Sequence, residues 1–174
     1  LPLVAQNPEA ELISRIWYET AVRWFKKAVA QGNPKAKRNL AYSYYFGHGV
    51  RRDREKSAAL FEEAASGGYG KAQYDLGFVH YHGRGVAQDR EQAAVLFLQA
   101  ANRGHPAAQL FLGRIYSLGE GVEVDYEKAW FWLMLARIHK PEASAHYLDQ
   151  IRGRLSPAAR QEARRLASLW IPRR

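Results

Sequence analysis

Small and apolar side chains recur along this sequence at spacings of three and four residues, the period of an α-helix with one buried face. The pattern starts again every 36 residues, so that three consecutive blocks of the chain align without a gap. The residues that are identical in all three blocks are Ala36, Leu40, Gly47, Gly49, Val50, Asp53, Glu55 and Ala64, each repeated 36 and 72 residues later. A fixed period of this length predicts a solenoid of stacked supersecondary units.

Each block predicts two helices joined by a loop. A Gly-x-Gly-Val sequence ends the first helix, because glycine adopts the left-handed conformation that a helix C-cap needs, and we expect positive φ at Gly49 and its two equivalents. Asp53 is placed to cap the second helix, and Glu55 suits the positive end of its dipole. The predicted pairs of first and second helices are 34–46 and 54–66, 70–82 and 90–103, and 106–118 and 126–139.

The two ends of the chain depart from the repeat. Residues 8–31 predict one long helix or a broken pair of helices, with Asn7 as N-cap. Helices are also predicted over 142–153 and 157–169; the last has an inner face of Ala159, Ala163, Leu166 and Trp170, with Arg160, Arg164 and Arg165 outside. We therefore interpret the chain as a single repeat domain, 1–174, made of a partial repeat (1–33), full repeats at 34–69, 70–105 and 106–141, and a capping helix pair (142–174).

The motif Ala-x-x-x-Leu-Gly, followed by Gly-x-Gly-Val-x-x-Asp, resembles the Sel-one-like repeat, a relative of the tetratricopeptide repeat. Repeats 70–105 and 106–141 follow it closely, and the first full repeat has Ala41 where glycine is usual. The resemblance covers roughly residues 17–150 and implies an all-α fold, a right-handed α-solenoid of antiparallel helix pairs with the first helices on the concave face. It also implies an adaptor for other macromolecules in the bacterial periplasm or envelope, with the cytoplasm as the alternative.

Catalytic chemistry is not indicated by the sequence. Cysteine is absent, which excludes disulfides, thiolate metal sites and a cysteine nucleophile. The Gly-x-Gly loops lack the third glycine and the preceding strand of a dinucleotide-binding turn. His80 and His82 are two residues apart on a predicted helix and point away from each other, which favours packing over metal binding. We therefore predict a non-enzymatic protein with no cofactor and no metal.

Tetratricopeptide geometry, carried over to this chain, predicts which side chains face the solvent of the concave surface. Most of them are aromatic or basic, the types enriched at binding hot spots, and from these we expect partner binding by Arg38, Tyr42, Tyr45, Phe46, Tyr74, Phe78, Tyr81, His82 and Arg114. The alternative is that several of these rings pack against the next repeat.

The chain is basic, with 26 Lys and Arg against 17 Asp and Glu and a formal net charge of +9. This balance favours an acidic protein or peptide partner. The excess positive charge lies in two separate regions, around 35–56 and in the final helix. A nucleic-acid-binding surface needs one continuous basic stripe, so this distribution does not favour nucleic acid as the partner. We expect an extended peptide with acidic and apolar side chains, in envelope assembly or signalling regulation. The alternative ligand is peptidoglycan or another polysaccharide, because tyrosine rings also bind sugars.

No apolar run reaches the roughly 18 residues of a transmembrane segment.

Overall fold

The computed structural model describes residues 8–173, and in this range all the regular secondary structure is helical. The predicted all-α solenoid is confirmed. The described α-helices are α1 (Pro8–Ala30), α2 (Pro34–Phe46), α3 (Arg54–Ser66), α4 (Gly70–His82), α5 (Arg90–Asn102), α6 (Pro106–Leu118), α7 (Tyr126–Ala136), α8 (Pro141–Ile151) and α9 (Pro157–Leu169).

Most helix bounds agree with the prediction, and the largest difference is at the end of α7. This helix stops at Ala136 and not at 139, and the Lys140 N–H closes the turn on the Ala136 carbonyl at 2.8 Å. The other second helices are followed by a glycine, Gly68 and Gly104, whereas α7 has none. A short 3₁₀ turn at 152–154 follows α8. The N-terminal segment is one helix, and the proposed cap Asn7 lies outside the described residues.

The loop glycines have the expected positive φ, and the structure adds a second reason for them. Gly85 has φ of 91°, and a Cβ there would overlap the backbone of Arg54 in the first turn of α3. Gly49 and Gly121 stand in the same relation to Tyr18 and Arg90, one repeat before and one after. The glycine therefore lets each loop lie directly on the second helix of the preceding repeat.

Alanine and large apolar side chains alternate in the core. Ala64, Ala100 and Ala136 are fully buried, and Phe61 and Phe97 fill the space between helix pairs. Gly77 of α4 lies so close to Phe97 that a Cβ would come within 2.9 Å of the ring. Small residues at these crossings bring the axes of the helices close together, and the buried side chains form three core clusters along the solenoid.

The last helix, α9, packs on α7. Ala163 is buried, and Trp170 makes an edge-to-face contact with Trp132 at 6.4 Å between ring centroids. The predicted inner face is wrong at Leu166, which is 46% exposed. The buried stripe runs through Ala163, Ala167 and Trp170, so that Leu166 lies beside it.

Candidate interaction surface

Side chains of α2 and α4, the first helices of two successive repeats, line a cavity of about 290 Å³. We call this cavity the groove. Its principal lining residues are Tyr42, Tyr45, Phe46, Tyr74, Phe78 and Arg84. Its volume is at the lower end of the range that is typical of ligand pockets, about 300 Å³, which is enough for one large side chain or a small ring.

Five of the nine residues predicted to bind a partner meet in the groove, and all five are aromatic. Phe46 is 55% exposed, and the other four rings are partly buried. Tyr42 stacks on Phe46 at 6.0 Å between ring centroids, and Tyr45 meets the same ring edge-on at 4.8 Å. The rings therefore pack on each other and still leave apolar surface open. One side of the cluster is packed within the protein, and the other side faces the cavity.

A buried carboxylate holds one wall of the groove. Asp75 of α4 is 4% exposed, accepts a hydrogen bond from the Tyr42 hydroxyl at 2.7 Å and pairs with the Arg38 guanidinium. Burial, together with the bond to Asp75, raises the pKa of the Tyr42 phenol far above its usual value. Arg38 lies beside the groove with its charge compensated by Asp75, so it is not a free cation for a partner.

A loop arginine holds the opposite wall. Arg84 follows α4, donates a hydrogen bond from Nη1 to the Tyr45 hydroxyl, and lies with Cζ 5.2 Å from the centroid of the Phe78 ring. It forms no ion pair with any residue in the described range 8–173. The groove wall therefore includes one uncompensated cation, and a second, Arg54, lies with Cζ 5.7 Å from the centroid of the Tyr45 ring.

Tyr81 is not at the open surface, which corrects the prediction for this residue. It is 4% exposed, although it occupies the repeat position of Tyr45. Its hydroxyl donates to Glu120 Oε2 at 2.6 Å and accepts from Arg114 Nη2 at 2.7 Å, and Arg114 pairs with the same carboxylate at 3.0 Å. Burial and the bond to Glu120 raise the pKa of Tyr81. Arg114 is therefore, like Arg38, compensated within the protein.

His82 is exposed and lies against Phe78, with 4.3 Å between the ring centroids. Partial burial lowers the pKa of His82, and the guanidinium groups of Arg84, Arg114 and Arg90 lower it further. The imidazole is consequently neutral near pH 7 and contributes apolar surface and hydrogen bonding, not charge. Within residues 8–173 no group of three or more His, Asp or Glu side chains is arranged to hold a metal ion.

Three residues of this face were missed by the sequence analysis: Asp75, Arg84 and Phe111. Phe111 stacks on Phe97 at 5.0 Å and meets Tyr74 edge-on at 6.0 Å. Asp75 and Phe111 occupy the same position of two repeats, directly before the leucine that all three repeats share. The residue at this position differs between the repeats, so the repeat pattern does not mark it. Arg84 could have been found from its spacing in the sequence. It follows Tyr45 by 39 residues, and Glu120 follows Tyr81 by the same number, so that each loop residue contacts the tyrosine of the preceding repeat.

Stacked helix pairs with an aromatic groove between two first helices define an α-helical repeat protein. The Sel1 repeat family model matches residues 18–33, 34–69, 70–105 and 106–136, so the chain belongs to the Sel1 repeat family. This confirms the resemblance that the repeated motif indicated. Sel1 repeat proteins are generally scaffolds for protein–protein interactions, and their fold is typically non-catalytic.

Two solved structures show the same architecture. The crystal structure of c5321, a protective antigen of uropathogenic Escherichia coli strains with an SLR fold, is 33% identical, with a TM-score of 0.76 over 86% of this chain and 32% of that one. A Sel1 repeat protein from Oxalobacter formigenes is 27% identical, with a TM-score of 0.69 over 81% of this chain and 61% of that one. No curated protein matches this sequence. Among the helices of the described part of the chain, none is long and apolar enough to cross a bilayer.

Proposed function

We propose that this chain is a non-enzymatic adaptor that binds an extended peptide segment of a partner protein along its first helices. An apolar or aromatic side chain of the peptide enters the groove. The observation that carries the proposal is the cluster of five aromatic rings from two successive repeats around one open cavity. Exposed aromatic rings on a rigid scaffold supply large contact areas at a small entropic cost.

The groove is already organised for binding. Asp75 holds the Tyr42 ring through its hydroxyl, and Arg84 holds the Tyr45 ring in the same way. Side chains fixed in advance lose little further freedom when a ligand binds. Because Arg84 is the uncompensated cation beside Phe78, we expect the preferred peptide to carry a carboxylate next to its apolar side chain.

The experiment uses peptides selected from a random phage library on the wild-type protein in about 0.5 M sodium chloride, where charge-driven binding elsewhere is screened. Their dissociation constants are then measured by calorimetry for Phe78→Ala and Phe46→Ala. We expect each variant to bind at least tenfold more weakly, as at a hot spot. The matched control is Val95→Ala, which removes an exposed apolar side chain from α5, outside the groove. Unchanged affinity in both groove variants, with circular dichroism showing that they are folded, would contradict the proposal.

Soluble peptidoglycan fragments and a neutral polysaccharide are titrated in parallel. If a glycan binds in a way that depends on Phe46 and Phe78, and no selected peptide does, the ligand of the groove is a carbohydrate and not a peptide.

We also propose that the protein works at the bacterial envelope. Support comes from the bacterial origin of the two similar structures, one of which is a protective antigen. Fractionation of cells that produce the full-length protein tests this location, and recovery in the cytosolic fraction alone would contradict it.

A further inference from the structure

A second cavity, of about 700 Å³, lies at the C-terminal end of the solenoid, between α7, α8 and α9. We call it the C-terminal cleft. Four arginines line it, Arg137, Arg152, Arg160 and Arg164, together with a single carboxylate, Asp149. The groove lies on α2 and α4, so that the two cavities share no lining residue.

The arginines of the cleft are not compensated within the protein. None of the four guanidinium groups lies within 4 Å of a carboxylate of residues 8–173. Arg160 donates from Nη1 to the Arg152 carbonyl at 2.9 Å, which fixes its position without neutralising its charge. Arg38 and Arg114, on the first helices, are each paired with a carboxylate. The cleft therefore brings four uncompensated arginines together on one concave surface.

Apolar side chains form another part of the cleft wall. Trp130 and Met134 of α7 line it, and the Arg160 guanidinium lies 5.9 Å from the centroid of the Trp130 ring. Trp130 is 4% exposed, and its indole N–H is buried without a hydrogen-bond acceptor among the described residues.

We infer that the C-terminal cleft binds an acidic peptide segment of a partner protein, separately from the groove. The carboxylates of the segment pair with the four arginines, whose planar guanidinium groups suit bidentate contacts with carboxylates. An apolar side chain between the carboxylates contacts Met134, which is partly exposed beside the Trp130 ring. A peptide fits this cleft better than a small inorganic anion does, because the cavity is far larger than one ion and a part of its wall is apolar.

The probe for the test is a fluorescein-labelled peptide of six glutamates around one central leucine, and its binding is followed by fluorescence anisotropy. The variant Arg137→Ala/Arg164→Ala removes two cleft charges from exposed side chains. The matched control, Arg23→Ala/Lys26→Ala, removes two exposed charges from α1, outside both the groove and the C-terminal cleft. We expect at least a tenfold loss of affinity in the cleft variant and less than twofold in the control. An equal loss in the two would show attraction to net charge alone and would overturn the inference.

Further measurements test the apolar contact and distinguish the peptide from a small anion as the ligand of the cleft. A peptide with glycine in place of the leucine is expected to bind at least threefold more weakly, and equal binding would overturn the apolar contact. Displacement of the peptide by micromolar pyrophosphate would identify a small-anion site and overturn the peptide. Phe78→Ala is expected to leave the affinity of this probe unchanged, so that failure at the groove and failure at the cleft are distinguishable.

Discussion

At the scale of single residues, the buried carboxylate of Asp75 is the most consequential feature of the groove wall. It joins two successive repeats, since its partners Arg38 and Tyr42 lie on α2 and Asp75 lies on α4. A charge buried in this way is tolerated only while its partners remain in place, because desolvation without compensation is costly. The wall of the groove and the junction of the repeats are thus stabilised by the same ion pair.

Arg38→Met should therefore destabilise the protein by about 2–3 kcal/mol, because it leaves the Asp75 carboxylate with only the Tyr42 hydroxyl. The neighbouring Lys37→Met removes a pair with Glu63, whose side chain is exposed, and should cost less than about 1 kcal/mol. Urea denaturation of the two variants measures both values. Equal costs would mean that the buried pair contributes no more than a surface pair.

At the scale of secondary structure elements, the loop glycines and the N-caps determine where each helix begins and ends and how repeats stack. Gly83 and Gly85 both have positive φ, but their surroundings differ. A Cβ on Gly83 would meet Gln88 at 3.2 Å, whereas one on Gly85 would overlap the backbone of Arg54. Of these two glycines, Gly83 is needed for its positive φ alone, whereas Gly85 is needed for its positive φ and for the close contact between repeats.

We expect Gly83→Ala to cost about 1 kcal/mol, from the left-handed conformation alone. Gly85→Ala should cost about 3 kcal/mol, because the loop must also move away from α3. Gly70→Ala, without positive φ and facing only the flexible Arg103 side chain, is the control and should change stability little. Thermal unfolding followed by circular dichroism ranks the three. A Gly85 variant no less stable than the Gly83 variant would show that the close approach can relax freely.

The N-cap of α6 makes the stability of the fold depend on pH. His105 accepts a hydrogen bond from the Ala108 N–H through Nδ1 and stacks on Tyr74 at 4.6 Å. Burial lowers its pKa, and Arg38 and Lys71 lower it further against the opposing effect of Asp75. The folded state therefore prefers the neutral imidazole, which alone can accept the capping bond.

Since the pKa of His105 is lower in the folded than in the unfolded chain, its contribution is complete above the unfolded value of about 6.5 and is lost as the pH falls through the folded value. His105→Asn supplies the same kind of cap as Asn33 does on α2, without a titrating group. The melting temperature of this variant should fall less between pH 7.5 and pH 5 than that of the wild type. Parallel decreases would exclude His105 as the source of the pH dependence.

At the scale of the whole molecule, the net charge of +9 is unevenly compensated. Carboxylates neutralise Arg38 and Arg114 near the groove, and the four arginines of the C-terminal cleft have no such partners in the described chain. The two surfaces should therefore recognise ligands by different forces, apolar contact at the groove and charge at the cleft.

Salt separates these two forces. Between about 50 and 300 mM sodium chloride, the affinity of a groove peptide should fall less than threefold, because apolar contact is not screened. The glutamate-rich probe of the C-terminal cleft should lose at least tenfold over the same range. Anisotropy titrations at four salt concentrations measure both slopes, and equal slopes would contradict the division of the surface.

The helices and their bounds were predictable because the signals for them are local. Asp53 and the loop glycines act on backbone groups a few residues away, and a 36-residue register repeats each of these signals three times. The end of α7 was predicted too late because no glycine marks it, and Leu166 was misplaced because packing on α7 decides which face of α9 is buried.

The surface was only partly predictable, as Tyr45 and Tyr81 show. They share residue type and repeat position, each near the end of a first helix, and the repeat pattern alone predicts the same exposure for both. Tyr45 meets a loop arginine and lines an open cavity, whereas Tyr81 meets Glu120 and Arg114 and is buried. Repeat register and capping are short-range effects written into consecutive residues. Burial and charge compensation depend on side chains 33–39 residues away, and only the packing of one repeat on the next brings them together.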